Sequence, residues 1–239
     1  MPTKRAFFAL LFAVGAVTTD YAADEGGPPS PVQPAVAPTT QTAVAASMPF
    51  ASPAAAAIQL AVAPTGNEVR YRVREQLVGF DFPNDAVGKS AAVSGAMSLD
   101  ANGRVLPNES RFIVDATTFA SDRDRRDGYV RDRLLAADQF PTITLTPTEL
   151  RGVTLPLAES GTQSLELIAD LTVRGVTRPT KWNVSAHFHD GRVSGTASTV
   201  FTFDDFQMAK PRVRSVLSVA DSIKLEYDFN LLARTVPTS

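Results

Sequence analysis

The chain has 239 residues and contains no cysteine and only two histidines. Without cysteine there can be no disulfide, no thiolate ligand for zinc and no thiolate nucleophile. The two histidines leave little room for imidazole chemistry. No run of 18 apolar residues occurs, so the sequence offers no ordinary membrane-spanning helix. The 23 basic residues nearly balance the 25 acidic ones, which argues against a nucleic-acid binder.

Composition divides the chain into three parts. In residues 1–23 a basic pair precedes an uncharged apolar run, which is typical of a secretory signal peptide. A retained N-terminal anchor is the alternative. Residues 24–57 are rich in proline and alanine and almost free of charge, which favours a disordered linker. The remainder, 58–239, then forms one folded domain, exported to the periplasm or the extracellular space.

Alternation of apolar and polar residues dominates this domain and indicates half-buried strands. Asp190-Gly191 predicts a hairpin turn, and Asn102-Gly103 predicts a second turn. A charged run followed by apolar residues predicts one helical insert near 121–137. Many antiparallel strands with one insert favour an all-β fold, an extended antiparallel barrel of about eight strands. The nine predicted strands cover residues 58–63, 68–76, 91–99, 109–117, 141–149, 164–174, 180–190, 192–204 and 222–233.

The same alternation would fit an outer-membrane barrel whose apolar side chains face lipid. Three features argue against that alternative: dense charge on the polar faces, the lack of a clear aromatic girdle, and the linker ahead of the domain. The apolar faces are therefore expected to point inward.

Three segments carry a family resemblance. They are RRDGYVRDRLLAADQFPTITL from Arg125, LTVRGVTRPTKWNV from Leu171, and FTFDDFQMAKP from Phe201. In this order and spacing they resemble the YceI-like family of lipid- and polyisoprenoid-binding periplasmic proteins, and the resemblance extends over 58–233. It implies a lipocalin-like barrel around an elongated apolar tunnel that holds an isoprenoid or another long lipid chain.

The sequence departs from the family pattern at three places. Tyr129 and Arg174 stand where the family often has histidine, and Gln207 replaces a glycine after Asp-Phe. A role for a titrating histidine at the first two positions is therefore in doubt. The strand and turn residues that support the fold remain. Gly175 and Pro179, in the GVTRP motif, are interpreted as ending a connection between two strands.

The resemblance makes the inward face of the barrel the candidate ligand site. The expected ligand is an isoprenoid, a fatty acid or a quinone tail. The expected lining consists of alternate residues along each strand, those that face inward. Some of these residues must also be plain core. The candidate ligand-binding residues are Val69, Tyr71, Val73, Phe112, Val114, Ile143, Leu145, Leu167, Leu171, Trp182, Val184, Phe203, Leu225, Tyr227 and Phe229.

The charged insert offers candidate contacts to a lipid head group. Arg123, Arg126 and Arg131 could each meet a phosphate, because a guanidinium group matches phosphate with paired hydrogen bonds. The acidic residues between them favour the alternative of a charged helix with internal ion pairs.

No catalytic or metal-binding motif is evident. His187 and His189 share one strand face and are expected to be exposed, although such spacing can also bind a metal.

We therefore predict no enzyme activity, no metal and no cofactor. The alternatives are a hydrolase or isomerase acting on a lipid-like substrate in the same cavity, or a structural envelope module with a filled barrel. The expected partner is a hydrophobic ligand and not nucleic acid, with transient contact to a membrane surface and dimer formation both left open.

Overall fold

The computed structural model of the chain describes residues 56–214 and 216–237. The predicted signal peptide, 1–23, lies outside the described residues. The predicted linker, 24–57, also lies outside them except for its last two residues, which begin the first strand.

Eleven antiparallel strands within the described residues form one sheet. The first six are β1 (Ala56–Val62), β2 (Glu68–Leu77), β3 (Asn84–Ser90), β4 (Val93–Leu99), β5 (Arg111–Asp115) and β6 (Ala120–Ser121). The other five are β7 (Thr142–Arg151), β8 (Ser160–Val173), β9 (Val176–His189), β10 (Arg192–Thr202) and β11 (Val216–Pro237).

Eight of these strands close into a barrel. The ring runs β1-β4-β5-β7-β8-β9-β10-β11 and returns to β1. The predicted antiparallel barrel of about eight strands is confirmed. The long strand β11 pairs with β1 through residues 231–237 and with β2 through residues 216–228. Beyond β2, the strands β3 and β6 extend the sheet along one side of the barrel.

The predicted insert at 121–137 is helical and short. Helix α1 (Asp124–Gly128) continues directly into a π-helical turn, Tyr129–Leu134. Three 3₁₀ turns complete the helical structure of the described residues, at Pro107–Glu109, Ala116–Thr118 and Asp204–Phe206.

The sequence pattern missed β3 and β6. β3 reads NDAVGKS, and asparagine, aspartate, glycine and lysine are all depleted in strands. β6 has only two residues, too few to show alternation. Both strands form because tertiary pairing supplies partners, β2 for β3 and β3 for β6.

The turns follow the backbone preferences of their residues. Asp190 and Gly191 both adopt positive φ angles, 46° and 72°, and join β9 to β10 as predicted. The connection from β8 to β9 differs from the prediction. Arg174 and Gly175 form the whole turn, with φ angles of 51° and 74°. Pro179 does not end the connection but lies inside β9, where it pairs with Asp170.

The apolar side of the strands points into the barrel and the charged side points outward. Val69 and Val73 are buried, whereas Arg70 lies between them on the outer face. The guanidinium group of Arg70 donates two hydrogen bonds, of 2.6 and 2.9 Å, to the carboxylate of Asp228 across the β2–β11 pair. No helix in the described residues is long and apolar enough to cross a membrane.

Glu226 lies at the centre of this outer charged surface. Lys224 donates to its carboxylate at 2.7 Å, and Arg72 and Arg70 lie at 3.6 and 4.0 Å. The hydrogen bond from Lys224 is the main cause that lowers the pKa of Glu226, and the two arginines add to it. A carboxyl group whose pKa is lowered in the folded protein stabilises it above the unfolded pKa, and this contribution disappears as the pH falls.

We expect Glu226→Gln to lower the free energy of unfolding by about 1 kcal/mol at pH 7. The difference from the parent should shrink as the pH falls below ~4 and disappear once the pH passes the lowered pKa of Glu226 in the folded protein, because the parent carboxyl group is then protonated in both states. Urea titrations from pH 3 to pH 7 measure this. Glu159→Gln, at an exposed position, is the control. A Glu226→Gln effect that does not depend on pH would contradict the assignment.

Gln207 offers a second test of the fold. It follows the 3₁₀ turn Asp204–Phe206 in the left-handed region, at φ 53°, and its side chain is exposed. In this conformation a residue with a Cβ atom destabilises the folded protein by about 1–2 kcal/mol. Glycine avoids this steric strain but loses more chain entropy on folding, which costs ~0.5–1 kcal/mol.

We therefore expect Gln207→Gly to raise the free energy of unfolding by up to about 1 kcal/mol. Gln207→Ala should give no such gain, because alanine retains the Cβ atom. Denaturant midpoints of the three proteins compare these effects. Equal stabilities of the glycine and alanine variants would show that the backbone at this position is not strained.

Candidate functional site

One end of the barrel encloses a cavity of about 830 Å³. Its walls come from β2, β3 and the first part of β11, and from the ends of β8 and β10. The helical insert lies across the remaining side through Tyr129, Val130, Leu134 and Leu135. Because the exposed residues Arg123, Arg125 and Arg214 also line it, the cavity reaches the surface at this end.

A smaller apolar pocket of about 70 Å³ occupies the other end of the barrel. On two strands, buried side chains lie between the two spaces. Along β8, Val173 lines the large cavity and Leu167 the small pocket, whereas Ala169 and Leu171 line neither and are buried. Along β10, the buried Thr199 has the same intermediate position.

The fifteen candidate lining residues are divided between these regions. Those in the large cavity are Tyr71, Val73, Ile143, Phe203 and Leu225. Those in the small pocket are Phe112, Leu145, Leu167, Trp182, Val184, Tyr227 and Phe229. Those in neither space, all buried in the core between them, are Val69, Val114 and Leu171. The continuous tunnel that the resemblance implied is thus replaced by two separate spaces, because mid-barrel side chains fill the interior between them.

The tyrosine on β2 shapes the wall of the large cavity. Tyr71 pairs with Gly88 of β3, and its ring lies where a side chain at position 88 would be; a Cβ atom there would come within 2.4 Å of the ring. Phe119 packs beside it, with the ring centroids 5.8 Å apart. Burial raises the pKa of Tyr71 to about 12, so the phenol stays protonated at neutral pH and can donate a hydrogen bond.

Several cavity residues were missed in the sequence. Those on the helical insert are Val130, Leu134 and Leu135, and the four-residue spacing of Val130 and Leu134 is a signal that helical periodicity could have supplied. Others belong to the unpredicted β3 or to the segment before the predicted start of the last strand. These further residues are Ala86, Val213, Val216 and Val219.

The three candidate head-group arginines have different surroundings. Arg123 is exposed at the cavity mouth, and Arg126 lines the cavity but is mostly buried. Arg131 does not line the cavity, because its guanidinium group donates to the backbone oxygen of Phe119 at 2.9 Å. The mouth also contains Arg125 and Arg214, which were not among the candidates.

Arg126 joins the insert to the barrel wall. Its Nη2 atom lies 2.8 Å from Oε1 of the buried Glu75 on β2, and its Nη1 atom donates to Asp122. Burial opposes the charge of Arg126, but the two carboxylates outweigh this and raise its pKa. The buried Asp127 accepts a hydrogen bond from Ser121. These contacts hold the insert across the cavity.

The histidines lie away from this site. Both are exposed on β9, where His187 contacts Thr162 and His189 lies beside Asp190. Within residues 56–214 and 216–237 no three His, Cys, Asp or Glu side chains are close enough to form a metal site.

The fold and this cavity define the class of the protein. Residues 60–231 match the model of the YceI-like domain. The chain therefore belongs to the YceI-like family. A UPF0312 protein of Vibrio vulnificus (strain YJ016) is 26% identical over 141 residues, which cover 59% of this chain and 67% of the relative.

A solved structure shares the fold. A polyisoprenoid binding domain from Saccharophagus degradans, implicated in plant cell wall breakdown, superposes with a TM-score of 0.53. It is 11% identical, and the match covers 74% of this chain and 98% of that domain. BcnA from Burkholderia cenocepacia matches with a TM-score of 0.49 and 14% identity, over 70% of this chain and 96% of its own.

The pair formed by Glu75 and Arg126 gives a testable prediction. Removing one partner of a buried ion pair leaves an uncompensated charge and costs about 3 kcal/mol. We expect Arg126→Met to lower the free energy of unfolding by that amount. Adding Glu75→Gln should restore much of it, because no unpaired carboxylate remains.

A double-mutant cycle of urea denaturation measures the coupling between the two side chains. Arg125→Met, at the exposed neighbouring position, is the matched control and should cost less than ~0.5 kcal/mol. Strictly additive losses for Glu75→Gln and Arg126→Met would contradict the pairing.

Proposed function

We propose that this protein binds one amphipathic lipid, with its apolar chain in the large cavity and its head group at the mouth. The observation that carries the proposal is the 830 Å³ cavity itself, which has apolar walls and charged residues where it opens. Its size lies within the range of roughly 300–1,000 Å³ for small-molecule sites. The relative from Saccharophagus degradans, described as a polyisoprenoid binding domain, supports an isoprenoid as one ligand class. A fatty acid or a quinone tail fits the same chemistry.

The cavity volume limits the length of the chain. A methylene group occupies about the volume of a water molecule, ~30 Å³. A cavity of about 830 Å³ would then accommodate roughly 25 to 30 such groups. The buried layer at Ala169 and Leu171 prevents a longer chain from continuing into the small pocket. The proposed ligand therefore has a chain of at most about 25 to 30 carbon atoms.

The hydrophobic effect alone can supply the affinity. Removing ~500 Å² of apolar ligand surface from water contributes roughly 12 kcal/mol before the costs of association. Those costs, in lost translation, rotation and chain freedom, reduce the net value considerably. No covalent step is needed for tight capture.

The head group in this proposal is anionic. Arg123, Arg125 and Arg214 line the mouth and are exposed, so that a carboxylate or phosphate can reach them. Tyr71 can add a neutral hydrogen bond deeper in the cavity. Arg126 has a different role, because Glu75 and Asp122 already occupy its guanidinium group.

Two alternatives fit the cavity less well. A filled structural barrel would have no space of this size. A lipid hydrolase or isomerase needs a group that exchanges protons near neutral pH, whereas burial moves the pKa of Tyr71 away from that range, to about 12. We therefore propose a binding protein, exported to the periplasm or the extracellular space as the features of residues 1–23 suggest.

Binding of a homologous series of fatty acids tests the site. Each additional methylene contributes about 0.8 kcal/mol, so the affinity should rise steeply with chain length. It should then level off at about 25 to 30 carbons, where the cavity is full. Displacement of a fluorescent fatty acid measures these affinities, and mass spectrometry of lipids extracted from natively purified protein identifies the bound species.

A variant that fills the cavity completes this test. Ala86→Phe adds a ring on the cavity wall and should reduce the affinity for long chains at least tenfold. Val200→Phe, on the exposed outer face of β10, is the matched control and should bind as the parent does. Affinity that is independent of chain length, or equal loss in both variants, would contradict binding in this cavity.

A further inference from the structure

The mouth of the large cavity is surrounded by exposed apolar side chains. On the β2–β3 hairpin, Val78, Phe80 and Phe82 are 52%, 60% and 81% exposed. Leu217 is 66% exposed. It lies next to the hairpin because its neighbour Val216 pairs with Leu77 at the end of β2. Single exposed apolar residues are common on protein surfaces, but a cluster that includes two phenylalanines marks an interaction site.

This cluster continues into the cavity. Leu77 and Val216, which precede the exposed Val78 and Leu217, both line the cavity wall. Val213 lines the cavity and is also exposed. Apolar residues therefore lie both on the hairpin outside the mouth and on the cavity wall directly behind it.

Basic residues surround the same opening. We define the mouth rim as residues 78–82, 122–126 and 210–214, together with Leu217. Its charged side chains are Lys210, Arg212, Arg214, Arg123, Arg125, Arg126, Asp81, Asp122 and Asp124. Six basic residues thus stand against three acidic ones, on a chain whose net charge is −2. Basic residues still outnumber acidic ones when Arg126 is counted as neutralised by Glu75.

We propose that the mouth rim docks on the surface of an anionic lipid bilayer. The phenylalanines would insert between the head groups, and the basic residues would attract lipid phosphates from the surface. Docking there would place the open cavity against the lipid and let a chain enter without crossing water. This inference rests on the proposed function, because only an apolar ligand makes such an entry route useful.

The absence of cysteine makes the test specific. A single cysteine introduced by Asp81→Cys in the full chain takes a fluorophore at an exposed position between Phe80 and Phe82 and keeps both phenylalanines. A second protein with His189→Cys takes it on β9, beside the hairpin turn that joins β9 to β10. Each labelled protein is mixed with vesicles of phosphatidylglycerol, or of phosphatidylcholine as the neutral control, that contain acyl chains brominated to quench fluorescence. We expect quenching at position 81 with the anionic vesicles and no quenching at position 189.

Binding measurements with matched variants separate the two contributions to docking. Phe80→Ser combined with Phe82→Ser should weaken vesicle binding about 100-fold, because each buried phenylalanine supplies a factor of roughly ten or more. Lys210→Gln combined with Arg212→Gln should weaken it about 30-fold on anionic vesicles and leave neutral vesicles unaffected. None of these four side chains lines the cavity.

Uptake of a fatty acid delivered by cyclodextrin, with no vesicles present, distinguishes this inference from the proposed function. Normal uptake without quenching at position 81 would overturn docking and leave ligand binding intact. Quenching without uptake would overturn the proposed function instead. Concentration-dependent dimers that the phenylalanine variant abolishes, without quenching by vesicles, would also overturn docking and identify a second copy as the partner.

Discussion

Strand β11 pairs with β10 along one edge and with both β1 and β2 along the other. Its 22 residues therefore close the eight-stranded ring at one end of the barrel and support the β2–β3 extension at the other. Where β1 closes the ring, side chains fill most of the interior and leave only the small pocket. Where β2 takes its place, the helical insert completes the wall and a cavity remains. The hollow end of the molecule thus follows from the way this strand divides its partners.

The insert is retained by polar contacts, in contrast to the strands. Glu75 and Arg126 form the buried pair that joins it to β2, and Asp122 contributes a second carboxylate. Its apolar residues, such as Leu134, then close the cavity from the side. A charged run that resembles an ordinary solvated helix therefore has two faces, one that anchors the segment and one that borders the ligand space.

Most strands could be predicted because alternation reports burial on one face directly. Val69, Tyr71 and Val73 have the predicted inward direction, and Arg70 and Arg72 the outward one. Strand β3 could not be predicted, because its residues disfavour strands and only its pairing with β2 holds it extended. The left-handed backbone at Gln207 could not be predicted either, because glutamine rarely adopts this conformation.

For the candidate site, the sequence predicted which residues face inward but not which of them border a cavity. By itself the sequence determined the barrel, the inward apolar face and the acidic and basic residues of the insert, because these depend on local periodicity and on a recognisable motif order. Only the tertiary structure decided that Tyr71 and Leu225 face a cavity whereas Leu171 is core. Periodicity locates a residue on a face, but the space in front of that residue depends on side chains from distant strands. The same reason explains why the apolar rim around Phe80 and Phe82 became visible only in three dimensions.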